Sequence, residues 1–389
     1  MLLTGAVLLP TGIVRDGAVV VAGERILFAG RREDVPPQLA SAPPAEGWEP
    51  GLTLLPGLVD IHCHGGGGGE FGAGARASTD GVPATGDRLP GAAARAAATH
   101  HHRAGSTTVV GSLVSASASR LLGGIRACAP LVASGELAGL HLEGPFLSVA
   151  RCGAQDPAAL VAPDIGLVRD LASAAGLDGI AHWTFAPELP GADRLPGVLA
   201  DLGILGAVGH TDADASTART ALSALAARPV RGGRPLVTHV FNGMPPLLSR
   251  APGPVGAAIS AAGRGEAVLE VIADGVHLDG ATVQLLFDTV GPGGIALVSD
   301  CMSAAGLPEG RYTLGGRSVR VSGRQVRLAD SGSLAGSVSS LLDEVRWCVV
   351  ELGIPLEDAV QAAAGTPAAA LHLHGAGSLA AGAWADVLA

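Results

Sequence analysis

The feature that most constrains this chain is a recurring unit: a short apolar run ending in Gly, His or Asp, then a stretch of helical character. The runs include AGLHLEGP, LGAVGHT, PLVTHVFN, EVIADGVH and GIALVSD. The helical stretches include GAAARAAATHHHRAG, ASTARTALSALAAR and SLLDEVRWCVVELG. Short apolar runs bounded by turn residues read as buried strands. Strands that alternate with helices imply a parallel sheet, open or closed. A length of 389 residues suffices for one large domain with a small companion.

The edges of the chain have a different texture. Residues 1–30 read as short strands joined by turn glycines, as in GAVVVAGERILFAG, and residues 34–50 as a connector. The strand–helix alternation begins at about Leu54. Residues 311–330 interrupt it with a β-hairpin pattern, and the tail GAGSLAAGAWADVLA reads again as β. These textures set residues 1–53 and the tail 376–389 apart from the strand–helix region 54–375. The start, MLLTGAVLLPTG, lacks a basic n-region and reads as a strand rather than a signal peptide. No run approaches the ~20 apolar residues of a transmembrane helix.

Composition removes several chemistries. The basic residues are all arginine. Schiff-base lysine, P-loop lysine and carbamylated-lysine metal bridges are therefore excluded. A formal charge of −10 argues against general nucleic-acid binding and requires that any anionic substrate be captured by particular arginines or histidines. Cys63, Cys128, Cys152, Cys301 and Cys348 are odd in number and scattered, which suits a reducing cytoplasm rather than a disulfide framework.

Polar groups stand at the ends of five apolar runs. His62 and His64 follow LLPGLV; alternate strand residues share a face, so the two can grip one ion. Glu143 closes HLE, and His210, His239 and Asp300 follow later runs. His210 and His239 are 29 residues apart, about one βα unit; His239 to Asp300 is 61 and Glu143 to His210 is 67, about two units each. In a (β/α)8 barrel all strand C-termini meet on one face, so such spacings bring the residues together. Imidazole and carboxylate suit zinc, or iron or another divalent metal, and a catalytic site keeps one position for water. Glu143, His210 and His239 make such an open site. Asp300 is the natural proton acceptor, able to pass the proton to a leaving amine. If His62 and His64 hold a second ion, Glu143 is the bridge, since no lysine is available.

These motifs resemble the N-acetylglucosamine-6-phosphate deacetylases of the amidohydrolase superfamily. PGLVDIHCHGGGG, HLEGPFLS, GHTDA, THVFNGMPPL, ADGVHLDG, LVSDCMSAAGLPEGRYTLGG and SLAGS occur in the family's order from Leu2 to the chain's end. The resemblance implies a (β/α)8 barrel with a small β-sandwich domain built from both chain ends. It implies metal-dependent deacetylation of N-acetylglucosamine 6-phosphate, with one or two ions. Sugar-phosphate contacts fall on Asn242, Gly243, Arg250, His277 and the SLAGS loop at Leu334 and Ala335. In relatives the arginine comes from a neighbouring subunit, which implies a homodimer. Three departures stand out. Gly153-Ala154-Gln155 replaces Gly-Ala-His, so Gln155 can hydrogen-bond at the sugar wall but carries no charge. SVARCG lacks the family's lysines, and Gly243 replaces an alanine.

The galactosamine epimer or another N-acyl compound is the alternative substrate. A barrel that had lost catalysis would lack ligands, and none is lacking here. His100, His101 and His102 lie in succession on a helix and read as a solvated face. The run Gly65–Gly69 reads as a tight active-site loop. His141 shares a face with Glu143 and reads equally as support or core. His182 and Glu188 read as structural, Trp183, Trp347 and Trp384 as packing, and His372 and His374 have no role.

Overall fold

The computed structural model describes residues 1–45, 51–72 and 91–389; part of the expected connector, residues 46–50, lies outside them. The first strands β1 (Leu2–Leu9), β2 (Gly12–Ala22) and β3 (Arg25–Arg31) form an antiparallel meander, and β4 (Thr53–Pro56) pairs in parallel with β1. The last strand of the chain, Val387–Leu388, pairs antiparallel with β4 and completes a five-stranded sheet. Leu3, Val7, Val19, Ile26 and Leu54 form its core with Leu379 and Ala383. Both chain ends thus build the small domain, and β4 spans the expected boundary at residue 53.

Eight parallel strands follow: β5 (Leu58–Cys63), then β8 (Ser106–Val114), β9 (Gly139–Glu143), β10 (Ile180–Phe185), β11 (Leu205–Val208), β12 (Leu236–Val237), β13 (Val268–Val271) and β14 (Ile295–Leu297), with a two-residue-strand hairpin, β6 (Gly65–Gly66) and β7 (Gly69–Glu70), after β5. The ends of the series are joined where the Asp300 N–H donates to His62 O at 2.9 Å and the His64 N–H to Cys301 O at 2.7 Å. The chain is a (β/α)8 barrel.

Crossover helices α1 (Ala92–Arg103), α2 (Ala118–Ala133), α3 (Ile165–Ala175), α4 (Leu195–Asp201), α5 (Ala215–Ala226), α6 (Gly253–Gly263) and α7 (Gly280–Val290) separate the strands. Asp164, Asp214 and Asp279 cap α3, α5 and α7 by accepting backbone N–H groups of the first turn. The helix α8 (Leu341–Val350) begins with a reciprocal Ser340–Asp343 capping box.

Alternation along the strands divides the core. On β13, Leu269 and Val271 pack with the helices. Val268 joins Val59, Ile61, Val110, Leu205, Leu236 and Ala296 in a second cluster. Glu270 shares the face of Val268 and is fully buried. One face of β13 therefore passes from apolar to polar toward its C-terminal end.

Two expectations change. Residues 311–330 form three strands rather than a hairpin: β15 (Gly310–Leu314), β16 (Arg317–Ser322) and β17 (Gln325–Leu328), with their own core around Tyr312, Val319 and Val326. The histidine tract is not a solvated face. His101 is buried, with Nε2 2.9 Å from Gly65 O. The reason is the glycine run, whose missing side chains let α1 approach: a Cβ on Gly69 would meet Ala93 O at 2.0 Å and one on Gly66 would meet His100.

Candidate active site

Local geometry aims the polar residues. Glu143 is the last residue of β9; His210, His239 and Asp300 lie two or three residues past β11, β12 and β14. The last three take left-handed backbone, with φ of 45°, 27° and 45°. Non-glycine residues there are uncommon and cost roughly 1–3 kcal/mol, and such strain concentrates at functional sites. The turn at each strand end brings its side chain to the shared group.

Glu143 is at the centre. Its Oε1 lies 2.9 Å from Nε2 of both His210 and His239, and its Oε2 lies 3.2 Å from His64 Nε2. The Nε2 atoms of His62 and His64 are 3.3 Å apart, and each faces Asp300 Oδ1, at 3.5 and 3.2 Å. Glu143, His210 and His239 make one compact donor group, and His62, His64 and Asp300 a second. All six are buried. Glu143 presents Oε1 to His210 and His239 and Oε2 to His64, with His62 Nε2 3.8 Å from Oε1. This donor set fits a divalent metal: the imidazole nitrogens and carboxylate oxygens converge in a closed polar space with no lysine or arginine among them.

Orientation comes from outside this ring. His62 Nδ1 lies 2.9 Å from Glu270 Oε2, His64 Nδ1 is 3.2 Å from Ser112 O, and His210 Nδ1 is 2.7 Å from Arg151 O. Each bond leaves Nε2 facing the site. His141 proves to be a support. Its ring bonds Ser112 Oγ at 2.9 Å and Thr184 Oγ1 at 2.8 Å, and stacks on His182. His182 bonds Ile61 O, and Glu188 accepts from Thr211 and the Asp212 N–H.

Electrostatics follow burial and contact. Burial would raise the Asp300 carboxyl, but the His64 hydrogen bond and the charges of His62, His64 and His239 outweigh it and hold it low. Glu143 is likewise held well below its ordinary value against burial, chiefly by His210. Burial opposes protonation of His277 also. The Asp274 carboxylate, 2.9 Å from its Nδ1, prevails and raises it.

The groups open on a cavity of about 220 Å³. Of the residues expected at the substrate, Ala154, Gln155, Asn242, Gly243, His277 and Leu334 line it; Ala335 is buried behind Leu334 in the meander's core, and Arg250 is exposed outside it. Gly243 has φ 60°, and a Cβ there would meet His210 Nδ1 at 2.7 Å. Gly65–Gly69 are not in the lining; the run packs on α1 and on Ser303 and Ala305.

Sequence reading missed three residues. Glu270 sits within an apolar run, and period-2 alternation was the signal that could have found it. Asp274 lies in a quoted motif but was given no role. Arg317 lines the cavity from β16, and no local pattern marks it.

Comparison with known proteins shows what the chain is similar to. The family model described as "Amidohydrolase family" matches residues 53–389. The N-acetylglucosamine-6-phosphate deacetylase of Bacillus subtilis (strain 168) is 34% identical over 300 residues, 76% of this chain and 69% of that protein. The Bos taurus protein of the same name is 36% identical over 240 residues, 61% of this chain and 56% of its own length. Among solved structures, a mutant N-acetyl-D-glucosamine-6-phosphate deacetylase from Mycobacterium smegmatis in complex with N-acetyl-D-glucosamine-6-phosphate superposes with a TM-score of 0.87 at 36% identity, covering 100% of this chain and 94% of that one.

Proposed function

Because the chain belongs to the amidohydrolase family and, within it, to the N-acetylglucosamine-6-phosphate deacetylases, we propose that it hydrolyses N-acetyl-D-glucosamine 6-phosphate to acetate and D-glucosamine 6-phosphate. The observation that carries this reading is the junction of Glu143, His210 and His239 with Asp300 on one barrel face beside a cavity.

Glu143, His210 and His239 hold the metal, and His62 and His64 take a second ion when one binds. Zinc is the first choice, with iron or another divalent metal as the alternative. When bound, such an ion polarises the amide carbonyl and lowers the pKa of water in the site. Asp300, held ionised by its histidine neighbours, accepts the proton of the attacking water and delivers it to the departing nitrogen. His277, whose protonated form Asp274 favours, faces the substrate's anionic end, with Asn242, Gly243 and the Leu334 loop around the sugar. Arg250 stands exposed beside Leu247 and Leu248. We assign it to the cavity of a second copy in a homodimer. Among the described residues no helix is long and apolar enough to cross a membrane. Five free cysteines support the expected cytoplasmic location.

Acetate release from N-acetylglucosamine 6-phosphate by the zinc- or iron-loaded chain tests the reading, with N-acetylgalactosamine 6-phosphate run beside it. Faster hydrolysis of the galactosamine epimer would replace the substrate; no acetate from either would remove the function.

A further inference from the structure

The meander β15–β17 reaches the metal-binding carboxylate through an unbroken line of contacts. Arg317 begins it. Its Nη2 donates to Asp330 Oδ2 at 2.7 Å, and its Nη1 donates to the main-chain oxygen of Gln155 at 3.1 Å. Gln155 is only 5% exposed, and both ends of its amide are engaged. Oε1 accepts the Ser115 N–H at 2.8 Å, and Nε2 donates to Glu143 Oε2. The other oxygen of Glu143 is the one facing His210 and His239.

We propose that Gln155 and Arg317 are positioning residues for Glu143: Arg317 fixes the main chain at Gln155 from the meander, and the Gln155 amide sets the rotation of the Glu143 carboxylate. The inference rests on the metal-hydrolase reading. A carboxylate's last torsion is broad, so a glutamate ligand does not orient itself. Groups that bond the far side of a ligand supply that orientation and affinity with it. The amide cannot turn over. A flip would set Oε1 against the Glu143 carboxylate and the NH₂ group against the Ser115 N–H. An amide also donates at every pH, whereas a histidine at this position changes its donors on protonation. Arginine suits the other end because its planar fork makes two directed bonds at once. The cavity wall at Gln155 therefore serves the metal ligand as well as the sugar.

Zinc affinity of the metal-free full-length chain, measured by chelator competition, tests this independently of turnover. Glu143→Gln is the control for the reading beneath. If it binds zinc as tightly as the unaltered chain, the metal assignment fails. Given loss in that control, Gln155→Leu should weaken zinc by ~10-fold or more. Arg317→Gln should weaken it less, in the same direction, and Arg317→Lys should restore part of the loss. In steady state these variants should lower kcat more than they raise KM. Unchanged zinc affinity in Gln155→Leu and Arg317→Gln, with KM raised instead, would make both residues substrate contacts and overturn the proposal. If Gln155→Leu fails to fold by circular dichroism, Asp330→Asn decides with Arg317→Lys. Asp330 is exposed at the outer end of the line. A measurable loss of zinc affinity in either supports the proposal, and none in both overturns it.

Discussion

His62 Nδ1 lies 2.9 Å from Oε2 of Glu270, and both side chains are fully buried. The pair joins a strand-end histidine to a carboxylate 208 positions away. It decides which ring nitrogen faces Asp300 and Glu143, because a carboxylate accepts the Nδ1 proton and leaves the Nε2 lone pair free. Glu270→Gln can instead donate to Nδ1 and reverse that tautomer. It should lower metal affinity at His62 and His64 by ~10- to 100-fold, while the Glu143, His210 and His239 group keeps its ion. Metal content after dialysis, read by mass spectrometry against graded zinc, checks this. Equal content in variant and parent would remove Glu270 from the role.

Asp300→Asn keeps the shape of the side chain and an oxygen for His64, but no longer accepts a proton. Turnover should fall by about 10²- to 10⁴-fold, with zinc still bound and KM little altered. Acetate release alongside metal analysis makes the measurement. Near-normal turnover would remove Asp300 as the base.

The stability of the metal-free chain should carry a signature of Asp60. Burial raises this carboxyl from 3.8 to about 6, against hydrogen bonds from Ser299 and the His62 N–H. A folded-state value above the unfolded one means that the folded state favours the protonated form. The contribution is full below about pH 3.8 and is lost as pH rises through about 6. The loss is about 3 kcal/mol between those limits. Asp60→Asn removes the titration and keeps an acceptor. Urea unfolding should therefore show the variant gaining on the parent between pH 4 and pH 7. A difference that does not change with pH would refute the assignment.

The glycine run makes a steric prediction. A Cβ on Gly69 would strike the main-chain oxygen of Ala93 at 2.0 Å, and one on Gly66 would strike the His100 ring at 2.4 Å. A side chain can turn aside where a helix backbone cannot. Gly69→Ala should cost about 1–3 kcal/mol and Gly66→Ala less, seen as a larger fall in melting temperature for the first. The reverse order would mean that α1 yields more readily than the His100 side chain.

The barrel was legible because its signal is local. Each strand is a short apolar run, each turn after it carries glycine or a polar group, and βα spacing then sets Glu143 at the end of β9 and His210, His239 and Asp300 just past β11, β12 and β14. The left-handed backbones of His210, His239 and Asp300 were not legible: histidine and aspartate enter φ > 0 more often than most side chains, but still so rarely that residue type alone does not mark the positions. Arg317 was missed for a different reason. A meander with its own core reads as a separate insertion, and only the packed chain shows that its arginine touches Gln155.

By itself the sequence determined the fold class and which strand ends carry polar groups, because periodicity and residue type act over a few positions. The tertiary structure alone decided how those residues are held. Glu270 behind His62, His101 beneath the glycine run and Gln155 against Glu143 are contacts between distant segments. Their geometry exists only once the barrel closes and buried polar groups must find partners.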